Sequence, residues 1–126
     1  MDALMVEDST LVRDRLVPML AAFSGVRVVA FAESPSQAIA WLRRNRCDLV
    51  LIDLRLRAGS GLGLLDLLER CPGLRSATLL RVVLTNDAGP AIRRRCAALG
   101  AAAVFDKSNE LDALFDFLRR GRVTVH

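Results

Sequence analysis

Five polar residues of this chain follow short apolar runs, and their types together suit one chemistry. Glu7 and Asp8 come after Ala3-Leu4-Met5-Val6, Asp53 after Leu49-Val50-Leu51-Ile52, Thr85 after Leu79 to Leu84, and Lys107 just beyond Ala102 to Phe105. Three carboxylates brought together repel one another and raise each other's pKa unless a cation neutralises them. A hard divalent ion with oxygen ligands and retained waters fits such a set, and Mg²⁺ is the natural candidate. A lysine offers a mobile positive point to a phosphoryl oxygen, and a threonine hydroxyl can donate to another. Metal, nucleophilic carboxylate, lysine and hydroxyl are the parts of a phosphoryl-transfer site. Taken alone, Asp53 is a metal ligand, a nucleophile or an ordinary strand-end residue. The company it keeps decides, and Lys107 is the chain's only lysine.

These residues need elements that bring them to one place. Leu49 to Ile52 reads as a strand buried on both faces, followed by the glycine-rich turn Ala58-Gly59-Ser60-Gly61. Ala3 to Val6, Val26 to Ala32, Leu79 to Leu84 and the weaker Ala102 to Phe105 supply four more strands. Between them lie helical periodicities. Ser9 caps the first, in which Val12, Leu16, Met19, Leu20 and Phe23 recur before Gly25. Ser34-Pro35-Ser36-Gln37 opens a second in capping-box fashion. Leu62 to Arg70 is the third, stopped by Cys71-Pro72-Gly73, and Ala91 to Leu99 the fourth. Leu111, Leu114, Phe115 and Leu118 mark the fifth, with Gly121 expected past its end. Such alternation predicts an α/β fold: a doubly wound parallel sheet with helices on both faces. The carboxyl ends of its strands share one edge, where ligands bind in open α/β sheets.

Composition bounds the alternatives. At 126 residues the chain makes one domain with a real core. No apolar run reaches membrane-spanning length, and the early acidic residues do not suit a secretion signal, so a cytoplasmic protein without a membrane role is expected. The net charge of +4 and pI near 9.7 invite a nucleic-acid reading. Scattered arginines, with Arg93-Arg94-Arg95 as the one run and no interleaved aromatics, read instead as solvated helix faces. Cys47, Cys71 and Cys96 have neither zinc nor redox spacing and read as buried or half-buried thiols. Trp41 reads as packing, and His126, at the very terminus, as no ligand. Gly59-Ser60-Gly61-Leu62-Gly63 is a turn rather than a dinucleotide fingerprint, because Leu64 occupies the place of the third glycine.

Four pieces in order carry a family resemblance: Met5 to Ser9, Leu51-Ile52-Asp53 with Gly61, Val83-Leu84-Thr85, and Gly100-Ala101 followed by Asp106-Lys107. The sequence resembles the receiver domains of bacterial two-component response regulators over almost its whole length. The resemblance implies a flavodoxin- or CheY-like (βα)₅ fold of strand order 2-1-3-4-5, with a receiver over residues 1–121 and a tail over 122–126 without an output domain. It implies that Asp53 accepts a phosphoryl group from a histidine kinase or a histidine phosphotransfer protein. Glu7 and Asp8, with Asp53 and the backbone carbonyl of Arg55, would hold Mg²⁺. Thr85 would follow the phosphoryl group and Lys107 would pair with it. Output would be a protein contact, with a homodimer through the fourth helix, fifth strand and fifth helix as one form. Arg55 and Asp87, each two residues past a site residue, are expected to form a salt bridge over the site that slows water's entry.

Several positions depart from the family. Val104 stands where a Tyr or Phe is usual, and Phe105 beside it faces the other side of its strand. Ser108 and Arg57 replace usual prolines, and Asn86 a usual small residue. These changes leave open a receiver-shaped interaction module that works without phosphorylation. An aspartate-nucleophile phosphatase of the haloacid-dehalogenase kind is disfavoured, since Arg55 stands where its second aspartate is needed.

Overall fold

Strand and helix patterns alternate along the chain, and the backbone follows them. The computed structural model describes residues 1–74 and 78–123. It contains β1 (Asp2–Val6), α1 (Thr10–Ser24), β2 (Arg27–Ala32), α2 (Pro35–Leu42) and β3 (Leu49–Ile52). Then follow α3 (Gly61–Arg70), a 3-10 turn (Pro72–Leu74), β4 (Leu80–Thr85), α4 (Pro90–Ala98), β5 (Ala103–Asp106) and α5 (Leu111–Val123). Every strand pair is parallel, and the sheet order is β2-β1-β3-β4-β5. Ser9, Ser34 and Ser60 cap α1, α2 and α3, each hydroxyl accepting a backbone N–H of the first turn.

The aliphatic run of β3 explains why it lies in the middle. Leu49 and Leu51 enter one core with Leu16 and Leu20 of α1 and Leu114, Phe115 and Leu118 of α5. Val50 and Ile52 enter the other with Ala38 of α2, Leu64, Leu65 and Leu68 of α3 and Cys96 of α4. All four strand residues are buried, so a polar residue at any of them would lose water without gaining a partner. Trp41 packs half-buried against the second core. Cys47 and Cys96 are buried, Cys71 is half-buried, and all three are free. Among the described residues no helix is long and apolar enough to cross a membrane.

Two sequence readings need correction. Gly121 does not stop the last helix, which continues to Val123, so the expected boundary between residues 121 and 122 falls inside α5. Glycine costs a helix interior about 1 kcal/mol relative to alanine, too little to end a helix held by its neighbours. Phe23 keeps helical spacing but is 51% exposed; it touches the core through the Phe115 ring, 5.4 Å away. Arg93, read with its neighbours as solvated, is partly buried and makes several hydrogen bonds, whereas Arg94 and Arg95 are exposed as expected. His126 lies outside the described residues.

Gly100 closes α4 and shows how tightly the sheet's lower edge is built. Its φ is +91°, and a Cβ there would lie 2.2 Å from Glu69 Oε2 and 2.4 Å from Arg81 Nη1. Those two atoms form an ion pair of 2.7 Å that joins α3 to β4. Gly100→Ala therefore meets backbone strain and a displaced ion pair together. It is expected to lower stability by about 1–3 kcal/mol in urea unfolding, and a loss below about 0.5 kcal/mol would contradict this account.

Candidate functional site

The ladder continues one hydrogen bond beyond the strands, which aligns the residues that follow them. Glu7 N–H donates to Ala32 O (2.9 Å), Asp53 N–H to Val6 O (3.0 Å) and Lys107 N–H to Thr85 O (2.9 Å). Chain positions far apart thus become neighbours along one edge of the sheet. The carboxylate oxygens of Glu7, Asp8 and Asp53 lie within 4.8 Å of one another. Lys107 Nζ reaches in from β5, donating to Glu7 Oε1 at 2.5 Å and lying 3.0 Å from Asp53 Oδ2.

Burial makes this cluster electrostatically costly. Glu7 is 4% exposed, Asp53 8% and Thr85 1%. Burial pushes the Glu7 carboxyl above the usual carboxylate range, while its hydrogen bonds from Lys107 and the Ser9 N–H pull the other way. For Lys107, burial favours the neutral amine, but the hydrogen bonds to Glu7 and Asp53 outweigh it and hold the ammonium above its ordinary value. Backbone amides supply the remaining donors. Arg55 N–H donates to Asp53 Oδ1 (3.2 Å), and Arg57 N–H to Asp8 Oδ2 (2.6 Å). One ammonium faces three carboxylates, so the cluster carries excess negative charge. An all-oxygen donor set of this charge fits a hard divalent cation; imidazole or thiolate donors, which softer metals favour, are not in it.

The β3–α3 connection is shaped around Asp53. Gly61 N–H donates to Leu54 O at 3.1 Å, and a Cβ on Gly61 would lie 2.3 Å from Asp53 O and 2.7 Å from Leu54 Cα. Only a glycine allows the helix to start so close to the strand end.

Thr85 ends β4 with its Oγ1 accepting the Asp87 N–H at 3.2 Å. Arg55 and Asp87 do approach, Nη2 to Oδ2 at 3.9 Å, but their side chains are 82% and 59% exposed. Two departures meet at this rim, as Ser108 Oγ donates to Asn86 Oδ1 at 3.4 Å. Val104 is buried in the core beneath α4, and Phe105 faces the opposite core, its ring 5.6 Å from that of Phe117. The backbone donors from Ser9 and Arg57 were not legible in the sequence, because any residue but proline carries an N–H. Arg93 had one faint signal: a cation in the first turn of a helix opposes the macrodipole and asks for a tertiary reason.

Comparison with known proteins agrees with this fold. The family model described as the response regulator receiver domain matches residues 3–119. A protein-glutamate methylesterase/protein-glutamine glutaminase of Paramagnetospirillum magneticum is 32% identical over 105 residues, covering 82% of this chain and 27% of that protein. The chain therefore spans about a quarter of that curated relative's length. Among solved structures, the non-phosphorylated HemR receiver domain of Leptospira biflexa superposes with a TM-score of 0.79 at 30% identity, covering 99% of this chain and 95% of that one. The receiver domain of a sensor histidine kinase from Pseudomonas aeruginosa, which has magnesium coordinated in its active-site cleft, superposes with a TM-score of 0.79 at 24% identity, covering 98% of both chains.

Proposed function

This chain belongs to the receiver-domain family of two-component response regulators, and on that premise we propose that Asp53 is its phosphoacceptor. The single observation that carries the proposal is the convergence of Glu7, Asp8, Asp53 and Lys107 at one sheet edge. Asp53 Oδ attacks the phosphorus of a phosphohistidine on a histidine kinase or phosphotransfer protein. The new bond is O–P, the P–N bond breaks, and the leaving imidazole keeps the electron pair. The product is an acyl phosphate on Asp53. Lys107 Nζ offsets the charge on the phosphoryl oxygens, and the Thr85 hydroxyl donates to one of them. Glu7, Asp8 and Asp53, with the carbonyl of Arg55, are the residues that would hold Mg²⁺, which when bound supplies charge neutralisation at the transferring group. Signalling then proceeds by protein contact, the face of α4, β5 and α5 being the proposed surface for a partner or second copy.

The test is incubation with Mg²⁺ and acetyl phosphate, followed by intact mass. One added phosphoryl group is expected on the native chain and none on Asp53→Asn. An unmodified native chain that also fails to bind Mg²⁺ would favour the phosphorylation-independent interaction module instead.

The Arg55–Asp87 pair bears on how long the phosphoryl group lasts. Both side chains are largely exposed, and exposed pairs are worth about 0–1 kcal/mol. Asp87→Ala keeps the backbone donor to Thr85 and is expected to shorten the phosphoaspartate lifetime by less than about fivefold, the equivalent of that energy. A larger acceleration, followed by loss of the phosphorylated mass with time, would establish the pair as a gate against water.

A further inference from the structure

Arg93 stands in the first turns of α4, where a cation gains nothing from the helix and is disfavoured by its dipole. Its guanidinium instead spans three segments. Nε donates to Ala88 O at 2.7 Å in the loop after β4, and Nη1 donates to Val104 O at 2.8 Å in β5. Nη2 donates to Glu110 Oε1 at the entrance to α5. That same oxygen accepts the Asp106 N–H at 2.9 Å, and Asp106 Oδ1 accepts the N–H groups of Ser108 (2.7 Å) and Asn109 (3.1 Å). The turn that bears Lys107 is thereby held at both ends.

The other end of this network reaches the site. Ala88 follows Asp87, whose N–H is bound by Thr85 Oγ1, and Thr85 O accepts the Lys107 N–H. The planar fork of an arginine can serve a loop carbonyl, a strand carbonyl and a carboxylate at once, which a lysine cannot. Among the described residues no aromatic side chain performs this bridging, since Val104 is packed in the core and Phe105 lies on the opposite face of the sheet.

We infer that Arg93 is a positioning residue that links the loop after Thr85 to the turn bearing Lys107, so that a change at Asp53 reaches the start of α5 through its guanidinium. The inference rests on Asp53 being the phosphoacceptor. A physical link of this kind needs a demonstrated response at both ends.

The experiment records backbone amide NMR shifts of the native chain with Mg²⁺ alone and with Mg²⁺ plus beryllofluoride, a phosphoryl mimic whose bound fluorine signal reports occupancy of the site. Residues 86–89 and 110–114 are both expected to shift in the native chain. In Arg93→Gln, with the site occupied, residues 86–89 should keep their shifts while those of residues 110–114 fall by more than half. Arg93→Lys should restore the response only in part. An Arg93→Gln chain that loses stability yet passes the full change to residues 110–114 would overturn the inference and leave Arg93 as a packing residue. Should that variant fail to fold, Glu110→Ala breaks the same link from its other end and is read identically. A native chain that never acquires the bound fluorine signal overturns the phosphoacceptor reading and this inference with it, whereas occupancy with an intact response in Arg93→Gln overturns this inference alone.

Discussion

Lys107→Met is expected to lower stability by about 3 kcal/mol near neutral pH, the cost of removing one partner from a buried ionic cluster. Methionine keeps most of the lysine stem, so packing changes little and the charge is what is lost. Glu7 and Asp53 then face each other, both buried, without their ammonium. Burial already raises the Glu7 carboxyl with Lys107 present, and of the two hydrogen bonds that oppose this rise the stronger, from Lys107, is removed while that from the Ser9 N–H stays. The direction of the pH dependence follows. A carboxyl whose folded pKa exceeds its unfolded value, as that of Glu7 does, binds more protons in the native state, so stability rises as pH falls through that range. The variant should therefore recover part of its loss between about pH 7 and about pH 5, and Mg²⁺ should stabilise it more than it does the native chain. Urea midpoints at the two pH values, with and without Mg²⁺, measure both effects. The rate of phosphorylation by acetyl phosphate should fall about 10²–10³-fold, as when one charge-stabilising donor is removed from a transition state. A variant of native stability and native rate would contradict the role given to Lys107.

Gly61→Ala is expected to damage the site through the backbone alone. Its new Cβ would meet Asp53 O at 2.3 Å and Leu54 Cα at 2.7 Å, and neither atom is the end of a flexible side chain. The loop must move, which costs about 1–3 kcal/mol and drags the phosphoacceptor with it. A displacement near 1 Å of a reacting group can cost about 10²-fold in rate, and a loss of that order in phosphorylation by acetyl phosphate is predicted. Gly63→Ala, two positions along α3, is the control. Nothing lies within 4 Å of its added Cβ, so helix propensity should raise stability by about 0.5–1 kcal/mol without change in rate. Equal behaviour of the two variants would remove the packing argument for Gly61.

Most of the strands and helices were legible because burial imposes a period on the sequence. Leu49 to Ile52 could only be a strand covered on both sides, and the serines at positions 9, 34 and 60 begin helices as their hydroxyls require. The last helix was misjudged at Gly121 because glycine ends a helix only where the chain turns left-handed, a choice its neighbours make. Arg93 was misjudged for a different reason. Within a run of three arginines a place in the first helical turn is only a faint mark, and the fold alone gives one of them carbonyls to bind.

For the site itself, the residue types were fixed one-dimensionally. Three carboxylates, a hydroxyl and the single lysine each follow an apolar run, and parallel alternation sends all such positions to one edge. Tertiary structure alone decided the partners. Lys107 reaches Glu7 across 100 residues of chain, Asp8 is held by the Arg57 amide, and the Arg55–Asp87 pair stays in solvent. Side-chain type and period are local properties, readable along the sequence. Distances, burial and charge balance exist only once strands β1, β3 and β5 are laid in register, and those are what raise the Glu7 carboxyl and pair Lys107.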